Sequence, residues 1–361
     1  MGQPNKLGDA FLAAAVEPQR WITALEQLAH ATGSNHAQII GIGPSYALDF
    51  NWVSDMDAPA HAAADRAELI SPATNFRVAA GLNASPNAII AEERYEAIKP
   101  HLVDDAYLDL CSDLGIQNGC QTTLLTGDVG LVGFALLRSQ QTGPTNAEAH
   151  DLFSSVRGAA ASAAALQVAL EREGHRLVAG SFEAMGIACF VLDRGMAVRA
   201  VTRAAESLLH DGSLRLTDMR LAVPQAADDK RLAAALSSLS IGQTQAATIV
   251  INDGSGLLTL RLHRLPTREW NMGFAPYAIL IAKRAGRARP ADLAFLRDAY
   301  ALTATEGEVA LLLCAGRSRD AISAARGIAR ETLRSHLRSI FAKLGVSRET
   351  EAIHMLHALL G

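Results

Sequence analysis

Arginines recur at every fourth residue near the end of the chain, at Arg326, Arg330, Arg334 and Arg338. From Arg326 to Arg348, both included, there are six Arg or Lys residues and one acid, Glu331. Like charges four residues apart on a helix repel by roughly 0.2–0.5 kcal/mol, so an ordinary surface helix mixes its charges. An uncompensated cationic face is suited to contacts with phosphate groups, and arginine can also pair with guanine edges.

The same stretch has apolar residues at helical spacing, which predicts that one side of this helix is buried. These residues are Leu333, Leu337, Ile340, Phe341 and Leu344. Arg334, Ser335 and Arg338 lie toward the opposite side. A cationic helix with one buried side is typical of the recognition helix of a helix-turn-helix domain.

Three further helices are predicted around this one. The first begins at Thr303 or Thr305, has acids in its first turn and ends at Gly316. A short helix over 319–325 ends at Gly327, directly before the cationic helix, and a fourth covers 347–360. A short helix followed by a glycine-containing turn and a second helix predicts a helix-turn-helix.

This last sixth of the chain resembles the LuxR/GerE-type helix-turn-helix, a four-helix DNA-binding domain. The matching residues are Leu302, Thr303, Glu306, Glu308, Val309, Gly316, Ile322, Gly327, Ile328, Thr332, Leu333, Arg334, His336, Leu337, Ile340, Lys343, Leu344 and Arg348. The resemblance implies that Arg334, Ser335 and Arg338 face the major groove and that Thr332 and Lys343 contact phosphates. With Arg330 of the cationic series, these residues form the predicted DNA-binding set.

Three positions depart from the family pattern. Ala329 stands where the usual serine caps the recognition helix, and the loss of such a cap costs about 1 kcal/mol. Ser323 replaces a usual alanine. Arg326 replaces a usual leucine near the turn, where it is expected to add a phosphate contact. None of the three changes the polar face of the recognition helix.

The composition indicates a globular intracellular protein. The chain has 361 residues, 49% apolar and 19% charged, with a net charge of -4, so any DNA contact must come from a local patch. Its four cysteines show no CxxC spacing, which favours a reducing cytoplasm over a disulfide or zinc framework. We find no signal peptide at the start and no apolar run long enough to cross a bilayer.

Residues 1–175 are predicted to form a sensor domain. Helical sequence ends at Gly33, strand-like runs follow, and a hairpin is expected around Gly127 and Asp128 before a long helix over 146–173. This element order resembles a GAF domain. In the long helix, residues at alternating spacings of four and three are either a face packed on the domain's own sheet or a dimer seam. These residues are Leu152, Val156, Ala159, Ala163, Leu166 and Leu170.

Residues 178–286 resemble a PAS domain, because the run "FVLDRGMAVRAVTRAAESLL" is followed by a helix and three strand-like runs. A linker with four Arg or Lys residues precedes the helix-turn-helix domain, predicted over 296–361. The predicted fold class is α+β: two sensor domains, each an antiparallel sheet with flanking helices, followed by an all-α four-helix domain. PAS and GAF folds bind small molecules or hold dimers, and neither implies catalysis.

Several of the few aromatic residues occur in the first predicted domain: Phe50, Trp52, Phe76, Tyr95 and Tyr107. They are either core residues or the lining of a ligand pocket whose polar groups include Asn51, Asn75 and Arg77. The sequence has no catalytic constellation, phosphate-binding loop or metal-ligand spacing, so we expect neither an enzyme nor a cofactor.

The sequence therefore predicts a bacterial, cytoplasmic, homodimeric transcriptional regulator. Its partners would be operator DNA, a second copy of the chain and a small-molecule effector. Two alternatives remain at this point. One is a protein-binding adaptor, and the other is a ligand-independent regulator whose sensor folds serve only as scaffolds.

Overall fold

The structure is a computed structural model that describes residues 3–43, 46–82, 84–85, 88–127, 130–252, 256–284 and 290–360. The chain divides into two compact units. The first comprises Met1–Gly174 with Pro266–Ala275, and the second comprises His175–Leu265 with Pro276–Gly361. Antiparallel sheets with flanking helices precede a C-terminal helical domain, which confirms the predicted fold class.

The first unit contains an antiparallel sheet of order β2-β1-β4-β3. Its strands are β1 (His36–Ile42), β2 (Leu48–Val53), β3 (Gln121–Gly127) and β4 (Gly130–Leu137). Its helices are α1 (Gln3–Ala14), α2 (Arg20–Thr32), α3 (Ala58–Ala64), α4 (Phe76–Leu82), α5 (Glu92–Ile98), α6 (Ala106–Asp113) and α7 (Ala147–Ala184), whose residues from His175 onward belong to the second unit. The predicted hairpin is the β3–β4 pair, and Asp128 of its turn lies outside the described residues.

The helical sequence that ends at Gly33 forms two helices rather than one continuous helix. Pro18 lies between α1 and α2, where its missing amide hydrogen interrupts helical hydrogen bonding. Gly33 ends α2 as predicted, with φ of 60°, a conformation that glycine adopts without steric cost. The long helix α7 extends to Ala184, beyond the predicted end at residue 173.

The two faces of the first sheet carry different side chains because residues alternate along a strand. Ile39 pairs with Trp52 across β1 and β2, and both are buried in the core that α1, α2 and α7 complete. Val53, next along β2, packs on the other face with α4, α5 and α6. The sheet therefore separates a helix-covered core from a second layer of short helices.

The second unit contains a sheet of order β6-β5-β11-β10-β9, all antiparallel. Its strands are β5 (Ala188–Leu192), β6 (Val198–Val201), β9 (Ala246–Asn252), β10 (Leu257–Arg264) and β11 (Ala278–Arg284). Between β6 and β9 lie α8 (Arg203–His210), the hairpin of β7 (Arg215–Thr217) and β8 (Arg220–Ala222), and α9 (Ala226–Ser240). The three late strands predicted from the sequence are β9, β10 and β11.

The segment between β10 and β11 belongs to the first unit, although its flanking strands belong to the second. Trp270 packs edge-on against Trp52, with ring centroids 5.6 Å apart. Glu171 of α7 accepts hydrogen bonds from the backbone amides of Met272 at 2.8 Å and Phe274 at 3.1 Å. Gln167 donates to the carbonyl of Trp270 at 2.9 Å. We call residues 266–275 the docking loop.

The C-terminal helical domain has its own core. Its helices are α10 (Pro290–Tyr300), α11 (Ala304–Cys314), α12 (Arg319–Arg326), α13 (Arg330–Leu344) and α14 (Glu349–Leu360). The predicted domain start at residue 296 falls inside α10, whose Leu296 is fully buried in this core. Among the described residues, every helix is too short or too polar to cross a lipid bilayer.

Candidate nucleic-acid interface

Helices α12 and α13 form the helix-turn-helix predicted from the sequence. The side chain of Ser318 caps α12 by accepting from the amide of Ala321 at 3.3 Å. Gly327 ends α12 with φ of 62°, the left-handed conformation that lets the chain turn sharply. Ala329 precedes α13 in an extended cap conformation but provides no side-chain hydrogen bond, as its methyl group dictates.

The apolar side of α13 is anchored in the helical domain. Leu333, Leu337, Ile340 and Leu344 are buried in the core, and Phe341 packs partly buried against it. Leu313 of α11 and Ile322 of α12 belong to the same core. Because this side is fixed, the opposite side of α13 has a defined orientation at the surface.

The residues predicted to face the major groove are all exposed. Arg334, Ser335 and Arg338 lie on solvent-facing positions of α13, as do Arg330 and Thr332. Arg338 forms no ion pair with any residue that the structure describes. Its guanidinium is therefore available for paired hydrogen bonds with a guanine edge or a phosphate.

Three of the four arginines have acidic partners, and two of these acids lie outside the stretch whose charges were counted. Arg326 pairs with Glu308 of α11. Arg330 Nε lies 2.8 Å from Asp320 Oδ1 of α12, with side chains 77% and 67% exposed. Arg334 Nη1 lies 3.1 Å from Glu331 Oε1, one turn earlier on α13. Exposed pairs of this kind contribute only about 0–1 kcal/mol, so phosphate groups can replace the acids at little cost.

Lys343 has a different environment from the arginines. Its Nζ lies 2.6 Å from Glu306 Oε2 and donates to the carbonyl of Ala301 at 2.9 Å. Glu306 also accepts from Ser339 Oγ at 2.6 Å and completes a capping box with Thr303 at the start of α11. Lys343 therefore joins α13 to α11, a role that the predicted phosphate contact did not anticipate.

The network fixes the charge of Glu306. Burial alone would raise the pKa of this carboxyl, but hydrogen bonds from Lys343, Ser339 and Thr303 outweigh burial and lower the pKa to about 2. The sequence showed Glu306 only as an acid in a first helical turn. Its contact with Lys343 depends on the packing of α11 against α13, which no local pattern encodes.

The five aromatic residues of the candidate ligand pocket do not lie together. Phe50 and Trp52, with ring centroids 4.6 Å apart, pack into the core on the α1, α2 and α7 side of the first sheet. Phe76 packs against Tyr95 and Tyr107 on the opposite side, at 5.0 Å and 5.3 Å. The structure thus divides the set into two clusters separated by the sheet.

A cavity of about 70 Å³ lies on the side of the sheet that faces α4 and α6. Of the five aromatic residues, Tyr107 contributes to its wall. The polar residues named with the pocket in the sequence, Asn51, Asn75 and Arg77, all line the cavity. Within the described residues, no three His, Cys, Asp or Glu side chains lie close enough together to hold a metal ion.

Comparison with known proteins gives one family match. Residues 300–356 match the GerE family, described as bacterial regulatory proteins of the luxR family. No curated protein sequence matches the chain. The matched residues include α11, α12 and α13, the helices that form the interface described above.

Solved structures similar to this chain include proteins named VqmA. A complex of phage VqmA with DPO has 16% sequence identity and a TM-score of 0.24, and the match covers 51% of this chain and 88% of that one. A Vibrio cholerae VqmA dimer without target DNA has 18% identity and a TM-score of 0.21, covering 48% and 82%. The sensor region of a sensor histidine kinase has 10% identity and a TM-score of 0.23, covering 72% and 86%.

Proposed function

We propose that this chain, whose residues 300–356 form a LuxR-family helix-turn-helix domain, is a dimeric transcriptional regulator that reads operator DNA with the exposed face of α13. The observation that carries the proposal is the arrangement of α13, with apolar residues buried and Arg334, Ser335 and Arg338 exposed. This arrangement supports insertion of α13 into a major groove, where side chains reach base edges.

The proposed DNA contacts divide into two kinds. Arg334, Ser335 and Arg338 contact base edges, and each good arginine–guanine pair discriminates by about 1–3 kcal/mol. Arg330 and Thr332, at the start of α13, contact phosphates and set the register. Lys343 contributes mainly by holding α13 in place through its ion pair with Glu306. The ammonium group of Lys343 contacts a phosphate only if this ion pair breaks.

A salt-titrated gel shift on promoter fragments tests the proposal. Arg338→Ala should weaken binding to the best fragment by about 1–3 kcal/mol and relax its base preference. Arg330→Ala should weaken binding to all fragments and reduce the salt slope by about 1. Arg220→Ala removes an exposed arginine of β8 as the matched control. If Arg334→Ala and Arg338→Ala both leave binding unchanged, the chain acts through another partner, as an adaptor would.

The preceding regions are proposed to sense a small molecule and to hold the dimer. We assign residues 1–175 as GAF-like, 178–286 as PAS-like and 296–361, with the rest of α10, as the DNA-binding domain. When only the five strands of the second sheet are numbered along the chain, their order in the sheet is 2-1-5-4-3, which supports the PAS-like assignment. The cavity beside the first sheet supports a sensing role for the GAF-like domain.

Dimerisation is proposed to use α7. The seam residues predicted from the sequence fall into two groups, because Val156 and Ala163 are buried in the domain's own core while Leu166 and Leu170 are 45% and 52% exposed. Leu177, 67% exposed, lies on the same stripe of the helix. An exposed row of leucines on a long helix supports pairing with a second copy, which would bring two recognition helices to two half-sites.

A further inference from the structure

The side chain of Arg77 is buried in the wall of the cavity beside the first sheet, with 5% of the residue exposed. Its Nη2 donates to the carbonyl of Ile116 at 2.5 Å and to that of Asn118 at 3.1 Å. Nε and Nη1 have no hydrogen-bond partner among the residues that the structure describes. One nitrogen of the guanidinium therefore supports the local fold, and the other two have no hydrogen-bond partner among the described residues.

The positive charge of Arg77 is also without a counter-charge in the described part of the chain, where no carboxylate forms an ion pair with it. The rings of Phe76 and Tyr95 lie 5.1 Å and 5.2 Å from its central carbon and provide cation–π contacts only. Tyr107 and Cys111 lie beside it, but burial raises the pKa of both groups, so both are neutral. A buried charge that is neither paired nor solvated is unfavourable unless an anion joins it.

The neighbouring amides are already used within the protein. Gln121 donates to the carbonyl of Arg77 at 2.7 Å and accepts from the Tyr95 hydroxyl at 3.1 Å. Asn75 donates to the carbonyl of Leu69 at 2.7 Å and accepts from the amide of Arg77 at 2.9 Å. These residues hold the wall. Arg77 keeps unused donors, and the buried hydroxyl of Thr122, also in the wall, has no hydrogen-bond partner among the described residues.

The size and lining of the cavity limit the kind of anion. The volume of about 70 Å³ suits a molecule of a few non-hydrogen atoms. Much of the wall is aliphatic and includes Ile40, Val78 and Leu131. A single guanidinium balances one negative charge, whereas a phosphate dianion would need more donors than this wall offers.

The cavity lies next to a cleft that is open to solvent. An open cleft of about 510 Å³ lies at one end of the first sheet. Five residues line both the cleft and the cavity: Ile42, Val78, Gly81, Thr123 and Leu131. The cleft and the cavity are therefore adjacent, and these five residues lie between them.

We propose that this cavity binds a short monocarboxylate whose charge is balanced by Arg77. The carboxylate accepts hydrogen bonds from the unused guanidinium nitrogens, and its carbon chain packs on the aliphatic wall. The proposal rests on the sensing function proposed above and names the chemical class of the effector.

Calorimetric titration of the full chain with butyrate, propionate and pyruvate tests the proposal. Butyramide serves as the uncharged analogue, and sodium chloride keeps the ionic strength constant. We expect saturable binding of at least one acid and none of the amide. Arg77→Met should raise the dissociation constant roughly tenfold to a hundredfold, because charge-assisted hydrogen bonds are lost.

A second variant leaves Arg77 in place, in case its replacement disturbs folding. A Cβ added at Gly81 would lie 3.2 Å from Gln121 Nε2 and 3.9 Å from Leu131 Cδ1, so Gly81→Val fills the space where the cavity meets the cleft. Gly158→Val adds the same side chain at a position with no atoms within 4 Å and serves as control. We expect Gly81→Val to abolish acid binding and Gly158→Val to retain it.

The proposal is overturned if no acid binds saturably, if butyramide binds as well as butyrate, or if Gly81→Val binds the acid unchanged. The first result would mean that water alone fills the cavity. DNA binding by the same preparations is measured separately in the gel shift. If the wild type binds DNA but no acid, this inference alone is rejected. If the wild type binds an acid but its DNA binding does not depend on Arg334 and Arg338, the proposed function alone is rejected.

Discussion

Glu306 and Lys343 join the first helix of the family-matched domain to its recognition helix, with Oε2 and Nζ 2.6 Å apart. The carboxylate side chain is 7% exposed and also belongs to the capping box of α11. One buried acid therefore fixes both the start of α11 and the position of α13 against it. The orientation of the exposed arginines of α13 depends on this contact.

Glu306→Gln should destabilise the packing of α11 on α13 by about 1–3 kcal/mol, because charge-assisted hydrogen bonds are lost. Hydrogen exchange of amides in these two helices measures the effect on the full chain. Glu331→Gln, which breaks only the exposed pair with Arg334, is the matched control and should change protection by less than about 0.5 kcal/mol. Equal effects of the two variants would show that the Glu306 network does not hold the helix.

The same contact predicts a pH dependence. Because the pKa of Glu306 is lowered from 4.5 to about 2 in the folded chain, its contribution is fully present above pH 4.5 and is lost as pH falls toward 2. The difference in protection between the wild type and Glu306→Gln should therefore shrink across that interval. A difference that stays constant down to pH 2 would contradict the assigned ionisation.

Ala329→Ser should stabilise the start of α13. The residue already has the extended backbone of a helix cap, with φ of -68° and ψ of 153°, and lacks only the side-chain acceptor. A serine oxygen there can accept from an amide of the first turn, a gain of about 1 kcal/mol. We expect slower hydrogen exchange at the start of α13.

Ser318→Ala is the reciprocal change, since it removes an existing cap from α12 and should cost a similar amount. If hydrogen exchange at the start of α13 is the same in Ala329→Ser as in the wild type, a side-chain cap at residue 329 does not stabilise this helix.

The sequence was most informative where the determinants are local. The buried side of α13 and the glycine after α12 follow from spacing and backbone conformation, so both were predictable. The ion pairs with Asp320 and Glu306 were not, because these acids come from other helices. The count of charges between Arg326 and Arg348 therefore overestimated the uncompensated positive charge of α13.

For the candidate pocket too, local sequence patterns were informative, whereas contacts between distant residues could not be predicted. Alternation along β2 indicates that Phe50 and Trp52 share a face, but not which layer covers that face. The structure places them in the core under α7 and places Asn51, between them, at the cavity. The docking loop was also unpredictable, since its contacts with Gln167 and Glu171 join residues about a hundred positions apart.

Replacing the exposed leucines of α7 should dissociate the proposed dimer. The triple variant Leu166→Glu, Leu170→Glu and Leu177→Glu places charges along the stripe, where desolvation opposes pairing. Native mass spectrometry over a range of protein concentrations reports the oligomeric state. Ile241→Glu changes an apolar residue that is 65% exposed elsewhere and should leave the mass unchanged. A triple variant that retains the wild-type mass would exclude this face as the interface.

Trp270→Ala should release the docking loop from the first unit. The indole packs against Trp52, and its removal leaves the hydrogen bonds to Gln167 and Glu171 exposed to competing water. Local opening should then be more frequent, and trypsin should cut faster after the exposed Arg268 within the loop. Trp270→Phe keeps an aromatic ring against Trp52 and should slow this cleavage toward the wild-type rate. Equal cleavage of the wild type and Trp270→Ala would show that the hydrogen bonds of the loop backbone to Gln167 and Glu171 hold the loop without the indole.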